Sequence, residues 1–178
     1  MQSLSDNPRE VVEMALQLEE DGRRVLLDAK DESNDPLSMA TFDFLADQEL
    51  EHMKSIRAYA KSLNSEEEFD LTKLGPGIVS KEAGEQIKSI FEKLKPEFEQ
   101  ASREIGRLGV YDSALDMERY GYEFYKAASE KSSDKTAKRI YGFLSGEEIK
   151  HFQIIQDTRD FLKQPDAFMA IDEHWMTF

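Results

Sequence analysis

Cysteine is absent from the 178-residue chain. Its absence excludes disulfides, thiolate-bound zinc, iron–sulfur clusters, a four-Cys iron site and cysteine nucleophiles together. Any metal must therefore be held by oxygen and nitrogen. Positive charge is also scarce, with 23 Lys and Arg against 37 Asp and Glu, a formal net charge of −14. Phosphate backbones and anionic membrane surfaces would be repelled, so neither nucleic acid nor a membrane is an expected partner. No apolar run approaches the ~20 residues of a membrane span, and Met1 to Glu20 lacks the basic-then-apolar layout of a signal peptide. A soluble cytoplasmic protein is the expectation. Breakers are few, 9 Gly and 5 Pro, while 34% of residues are charged, as in helical proteins with solvated outer faces. Eleven Phe, six Tyr and one Trp supply core material and argue against disorder.

Two helix starts are explicit. Asn7 precedes Pro8 and Asp35 precedes Pro36, each a polar N-cap with Pro at the first helical position. Helix 1 is expected from Asn7 to about Lys30 on Val12, Leu16 and Leu26, and helix 2 from Pro36 to about Leu63 on Phe42, Leu45, Ile56 and Tyr59. Ser65 to Ser80, with Gly75-Pro76-Gly77, reads as loop. A further helical stretch from about Ser80 to Arg107 should kink or break at Pro96. Helix 3 follows from about Gly109 to Lys131, helix 4 from about Asp134 to Phe161, and then a mixed tail over 164–178. The whole, 1–178, is expected to be one domain: a helix pair over 8–63, a crossover over 64–108, and a second pair over 109–163.

The two pairs repeat one another. Residues 11–59 align without a gap on 110–158 at a constant offset of 99, with thirteen identities in 49 positions. Unrelated sequences would share about three, at roughly one match in fifteen to twenty. The matches include Glu19/Glu118, Gly22/Gly121, Glu49/Glu148 and His52/His151.

These polar pairs fall where apolar residues belong. On helix 2 the stripe runs Phe42, Leu45, Glu49, His52, Ile56, Tyr59, and on helix 4 it runs Tyr141, Leu144, Glu148, His151, Ile155. Glu19 lies between Leu16 and Leu26, and Glu118 between Leu115 and Tyr125. Burying four carboxylates without partners would cost several kcal/mol per ion. Two divalent cations balance four Glu, and two neutral imidazoles complete the donor set. Such hard oxygen and borderline nitrogen donors suit two iron ions, with manganese or zinc as substitutes. A lone Glu-x-x-His arises often by accident in Glu-rich helices. Two of them, each 30 residues after a buried Glu, carry far more information.

Neighbouring candidates fail on helical geometry. Glu20, Glu51 and Glu147 are turned about 100° or 200° away from the stripe and are expected in solvent. Gly22 and Gly121 occupy helix interiors at a cost of roughly 0.5–1 kcal/mol relative to Ala, so they are expected to clear space for a helix contact or a metal-bound ligand. Tyr122 and Tyr125 read first as core, and second as donors of a hydrogen bond or an electron near the site. His174 reads as a surface residue.

A Glu from each of two helices with Glu-x-x-His from each of the other two is the ligand pattern of di-iron carboxylate bundles. Glu19 with Gly22, Glu118 within Met117-Glu118-Arg119-Tyr120-Gly121-Tyr122-Glu123-Phe124-Tyr125, and the pairs Glu49/His52 and Glu148/His151 resemble the metal motifs of rubrerythrin-like proteins of the ferritin-like superfamily. The resemblance spans about residues 8–165. It implies an all-α four-helix bundle with one long crossover containing an additional helix. It also implies a di-iron centre bridged by Glu49 and Glu148, with Glu19, Glu118, His52 and His151 as terminal ligands. The implied chemistry is oxidation of a diferrous pair by hydrogen peroxide or dioxygen, often in a homodimer. Two features differ from rubrerythrins proper. They usually carry a Cys-ligated rubredoxin domain and a further carboxylate three residues after the helix 3 Glu, where this chain has no Cys and has Gly121. The stand-alone, erythrin-like members fit better, and turnover then requires a separate electron-donor protein. A di-iron oxidoreductase is the leading expectation. An iron-handling protein without a dedicated substrate and a metal-free structural bundle are the alternatives.

Overall fold

The computed structural model describes residues 4–65, 69–74 and 109–164. Among them are four α-helices: α1 (Pro8–Glu32), α2 (Pro36–Ser62), α3 (Gly109–Lys131) and α4 (Lys135–Lys163), with one 3-10 turn, Leu71–Lys73, and no strand. The expected loop with Gly75-Pro76-Gly77, the crossover helix with its break at Pro96, and the tail with His174 lie outside the described residues.

Caps set the helix starts. The Asn7 side chain accepts from the Arg9 amide ahead of Pro8, and Asp35 accepts from the Ser38 amide ahead of Pro36. Asp134 accepts from the Ala137 amide and opens α4. Each cap satisfies an amide that the first helical turn leaves without a partner. Only Ser33, Asn34 and Asp35 separate α1 from α2, and Ser132, Ser133 and Asp134 separate α3 from α4, so each pair must fold back as a hairpin.

Packing gives the direction of every helix. One apolar cluster joins the end of α1 (Leu26, Ala29), the start of α2 (Leu37, Phe42, Leu45), the start of α3 (Tyr111, Ala114, Leu115) and the end of α4 (Ile154, Ile155, Phe161). A second joins the opposite ends: Val11, Val12 and Ala15 of α1, Ile56 and Tyr59 of α2, Phe124, Tyr125 and Ala128 of α3, and Ile140, Tyr141 and Leu144 of α4. α1 and α4 therefore run one way, and α2 and α3 the other. The strongest packing is within the hairpins, and α1 on α3 with α2 on α4 closes the bundle. This is the ferritin-like all-α arrangement, with each packed pair antiparallel. The offset of 99 becomes a pseudo-twofold axis across the bundle, because it exchanges α1 with α3 and α2 with α4. No helix among the described residues is long and apolar enough to cross a membrane.

Candidate metal centre

Between the two apolar clusters, at mid-length, the bundle axis is polar. Glu19, Glu49, His52, Glu118, Glu148 and His151 are all buried there, projected inward from four different helices. The rigid helices on either side fix their positions, since each residue lies one turn from a buried apolar neighbour on its own stripe. The six form two groups of four: Glu19, Glu49, His52 and Glu148, and then Glu49, Glu118, Glu148 and His151. Within each group one ligand atom per residue lies within 4.8 Å of the others. Glu49 and Glu148 belong to both.

The distances around Glu49 are informative. Its Oε2 is 3.3 Å from His52 Nδ1, and its Oε1 is 2.9 Å from His151 Nδ1. One carboxylate thus offers an oxygen to each half of the site. His52 Nδ1 is also 3.1 Å from Glu19 Oε2 and 3.5 Å from Glu148 Oε1, while His151 Nδ1 is 3.4 Å from Glu118 Oε2. The two rings stack nearly parallel, with centroids 5.2 Å apart.

These atoms fit two cations better than they fit one another. His151 Nδ1, although 2.9 Å from a carboxylate oxygen, makes no hydrogen bond, and neither does the buried Glu148 Oε1. Electron-pair donors that converge without a proton aligned between them are what a metal ion leaves unsatisfied when it is not there. The carboxylates and imidazoles are donors suited to divalent iron, manganese or zinc.

A sequence model of the rubrerythrin family matches residues 10–158, most of the chain. The chain belongs to the rubrerythrin family. Comparison with curated proteins and with solved structures gives no match.

Without metal, this rubrerythrin-family cluster must neutralise itself with protons. Burial, and then the negative charge of Glu49, hold the carboxyls of Glu19, Glu118 and Glu148 well above the usual range. Burial also acts on Glu49, but a proton shared with Glu19 and the neighbouring imidazoles outweigh it and hold Glu49 well below that range. For His52, burial favours the neutral ring, yet the surrounding carboxylates outweigh burial and raise it well above its ordinary value.

Tyr125, the helix 3 aromatic one turn beyond Gly121, donates its phenol to Glu19 Oε1. Burial, followed by the charge of Glu19, keeps that phenol protonated. Tyr122 goes elsewhere: it is half-buried beneath the Lys126 ammonium, 5.5 Å from its ring centroid. Each glycine backs a shared carboxylate, Gly22 facing Glu49 and Gly121 facing Glu148. A narrow pocket reaches the carboxylates between α1 and α3, walled by Leu18, Gly22, Met117 and Gly121. Helical spacing does not mark Leu18 and Met117 as site residues, although they too are separated by 99 and each precedes a cluster Glu.

One expectation needs correction. Glu20 is exposed and Glu51 partly exposed, but Glu147 is buried at 1% exposure, not solvated. The buried arc of α4 is wider than its axial stripe and includes Ser145, Glu147, Ile154 and Thr158. Lys150, one turn on, lies 2.7 Å from Glu147 and balances its charge. Since Lys150 keeps a quarter of its side chain in water and can turn outward, Glu147→Ala should cost about 1 kcal/mol, a loss of some 2–4 °C in Tm by thermal melting. Metal content should stay unchanged.

Proposed function

We propose that this rubrerythrin-family chain binds two iron ions and is an oxidoreductase whose diferrous pair is oxidised by hydrogen peroxide or dioxygen. The observation that supports it is Glu49, which turns one oxygen toward His52 and the other toward His151. In this reading Glu49 and Glu148 would be shared by the two ions, with Glu19 and His52 holding one and Glu118 and His151 the other. The bound pair would supply two electrons, enough with two protons to reduce one peroxide to two waters.

The chain's own residues do the rest. The apolar clusters at both ends keep bulk water from the carboxylates and lower the local dielectric. Gly22 and Gly121 leave the shared carboxylates uncovered on the α1–α3 side, so peroxide or dioxygen can approach through the pocket. Tyr125 holds a proton at Glu19 Oε1 and fixes that carboxylate. These 178 residues hold no Cys-ligated iron, so in this reading the electrons are restored by a donor outside the bundle.

Rapid mixing of anaerobic diferrous protein with one equivalent of peroxide, or with dioxygen, tests the reading by optical absorbance. Oxidation should be at least about tenfold faster than that of free ferrous ion. Glu148→Ala should abolish the acceleration, because both positions lose a shared donor. A rate equal to that of free ferrous ion with both oxidants would leave iron handling as the better account.

A further inference from the structure

The two halves of the centre match residue for residue in their ligands, but not in what surrounds them. At an offset of 99, Tyr125 corresponds to Leu26. Tyr125 donates its phenol to Glu19 Oε1, whereas Leu26 is buried in the apolar cluster at the other end of the site and has no hydroxyl to offer. Among the described residues no hydroxyl hydrogen-bonds to Glu118, whose Oε2 lies 3.4 Å from His151 Nδ1. Glu19 therefore has one oxygen committed to a phenol and only Oε2, 3.1 Å from His52 Nδ1, aimed at the site. Glu118 is held by no phenol among the described residues; its hydrogen-bond partner is the Glu148 carboxyl, itself a member of the cluster.

We propose that Tyr125 makes the two metal positions unequal, confining Glu19 to one-oxygen binding so that its position has fewer protein donors and fills second. The inference rests on the two-metal reading above. With one oxygen from each bridging carboxylate, the Glu19 position has four donors: Glu19 Oε2, His52, Glu49 and Glu148. The Glu118 position has five, because Glu118 can chelate. Tyr125 is thus a positioning residue, acting through Glu19. The position with four donors holds its ion more weakly and, being four-coordinate, is the one that a small anion or oxidant can join as a fifth ligand. The pocket is lined by Glu19 and Glu118 alike, so the inequality rests on Tyr125 and not on access.

The test uses cobalt(II) alone, added under anaerobic conditions to the full chain and followed by calorimetry and visible absorbance. Cobalt with four donors absorbs far more strongly than cobalt with five or six, so the two positions are distinguishable by colour as well as by affinity. Two steps are expected, separated by at least about tenfold in affinity, with the intense band growing only during the second. Tyr125→Phe keeps the ring and removes the donor, which frees Glu19 Oε1. Its second step should tighten about tenfold toward the first, and the intense band should disappear. A purely structural role for Tyr125 predicts the reverse, weakening of both steps. Two equal steps in the unaltered protein, or a Tyr125→Phe protein with unchanged steps and spectrum, would overturn the inference. Should Tyr125→Phe fail to fold, the steps and colours of the unaltered chain still decide. Fewer than two cobalt ions per chain would instead overturn the two-metal reading beneath it.

Discussion

Replacing Gly121 with Ala should strip the centre of its metal while leaving the bundle folded. A Cβ at this position would lie 2.7 Å from Glu148 Oε2, 3.0 Å from its Cδ and 3.2 Å from its Cγ. Contacts that close force the Glu148 side chain to swing away. Because Glu148 belongs to both groups of donors, both positions lose a ligand at once. Affinity should fall by more than the roughly 10–100-fold that follows loss of a supporting group around a metal. Folding should survive, since Ala in a helix interior is favoured over Gly by about 0.5–1 kcal/mol and the displaced group is the end of a side chain. Gly22→Ala is the matched control. Its Cβ would meet Met117 Cε at 3.7 Å and Glu49 Cδ at 3.9 Å, ordinary contacts, so its metal content should remain that of the unaltered chain. Elemental analysis after gel filtration, beside thermal melts, distinguishes loss of metal from loss of fold. A Gly121→Ala protein that retains its metal would show that Glu148 is not held against the helix 3 backbone.

Metal should also raise the melting temperature and change how stability depends on pH. Glu19, Glu118 and Glu148 are raised above their ordinary value of 4.5 by burial and by Glu49, so the folded chain keeps protons that the unfolded chain has released. At neutral pH these groups oppose folding, and the penalty fades as the pH falls toward 4.5. His52, raised above 6.5, contributes stability that is full below that value and is lost as the pH rises through its folded value. Glu49 is lowered and works in the opposite sense: its contribution is present above 4.5 and is lost as the pH falls through its folded value. Between about pH 5 and 8 the Glu49 contribution is already complete, and the other four groups all favour the lower pH. Metal-free protein should therefore melt at progressively lower temperature across that window. A group that titrates across one pH unit changes stability by up to about 1.4 kcal/mol. In a chain of this size that is about 3–5 °C. Bound metal displaces the protons, so loaded protein should hold or gain stability as the pH rises. At a hundred times its dissociation constant each metal adds about 2.7 kcal/mol, so loading at pH 7.5 should raise Tm by about 10 °C or more. Parallel melts of metal-free and loaded protein from pH 5.5 to 8 check both slopes; parallel curves would mean that metal and protons do not compete for this cluster.

The fold and the cluster were largely legible because they depend on local chemistry. Asn7-Pro8 and Asp35-Pro36 cap their helices through contacts within three residues, which need no knowledge of the tertiary structure. The stripe Phe42, Leu45, Glu49, His52, Ile56, Tyr59 is buried throughout, so helical spacing alone located the polar interruption. What spacing could not reveal was how far burial extends around a helix. Glu147 is one residue off the axial stripe and still buried, because Lys150 sits close enough to neutralise it. Nor did spacing separate Tyr122 from Tyr125. They stand three residues apart on one helix, yet one phenol reaches Glu19 and the other ring lies under Lys126, a difference set by the neighbouring helices. Leu18 and Met117 are a related case: apolar residues beside a charged cluster become pocket walls only once α1 and α3 face each other.

The central claim is that six buried side chains from four helices hold a pair of metal ions. Elemental analysis of the full chain after anaerobic iron loading and removal of unbound metal tests it most directly. The account predicts two iron ions per chain. A reproducible value near zero or near one would contradict it.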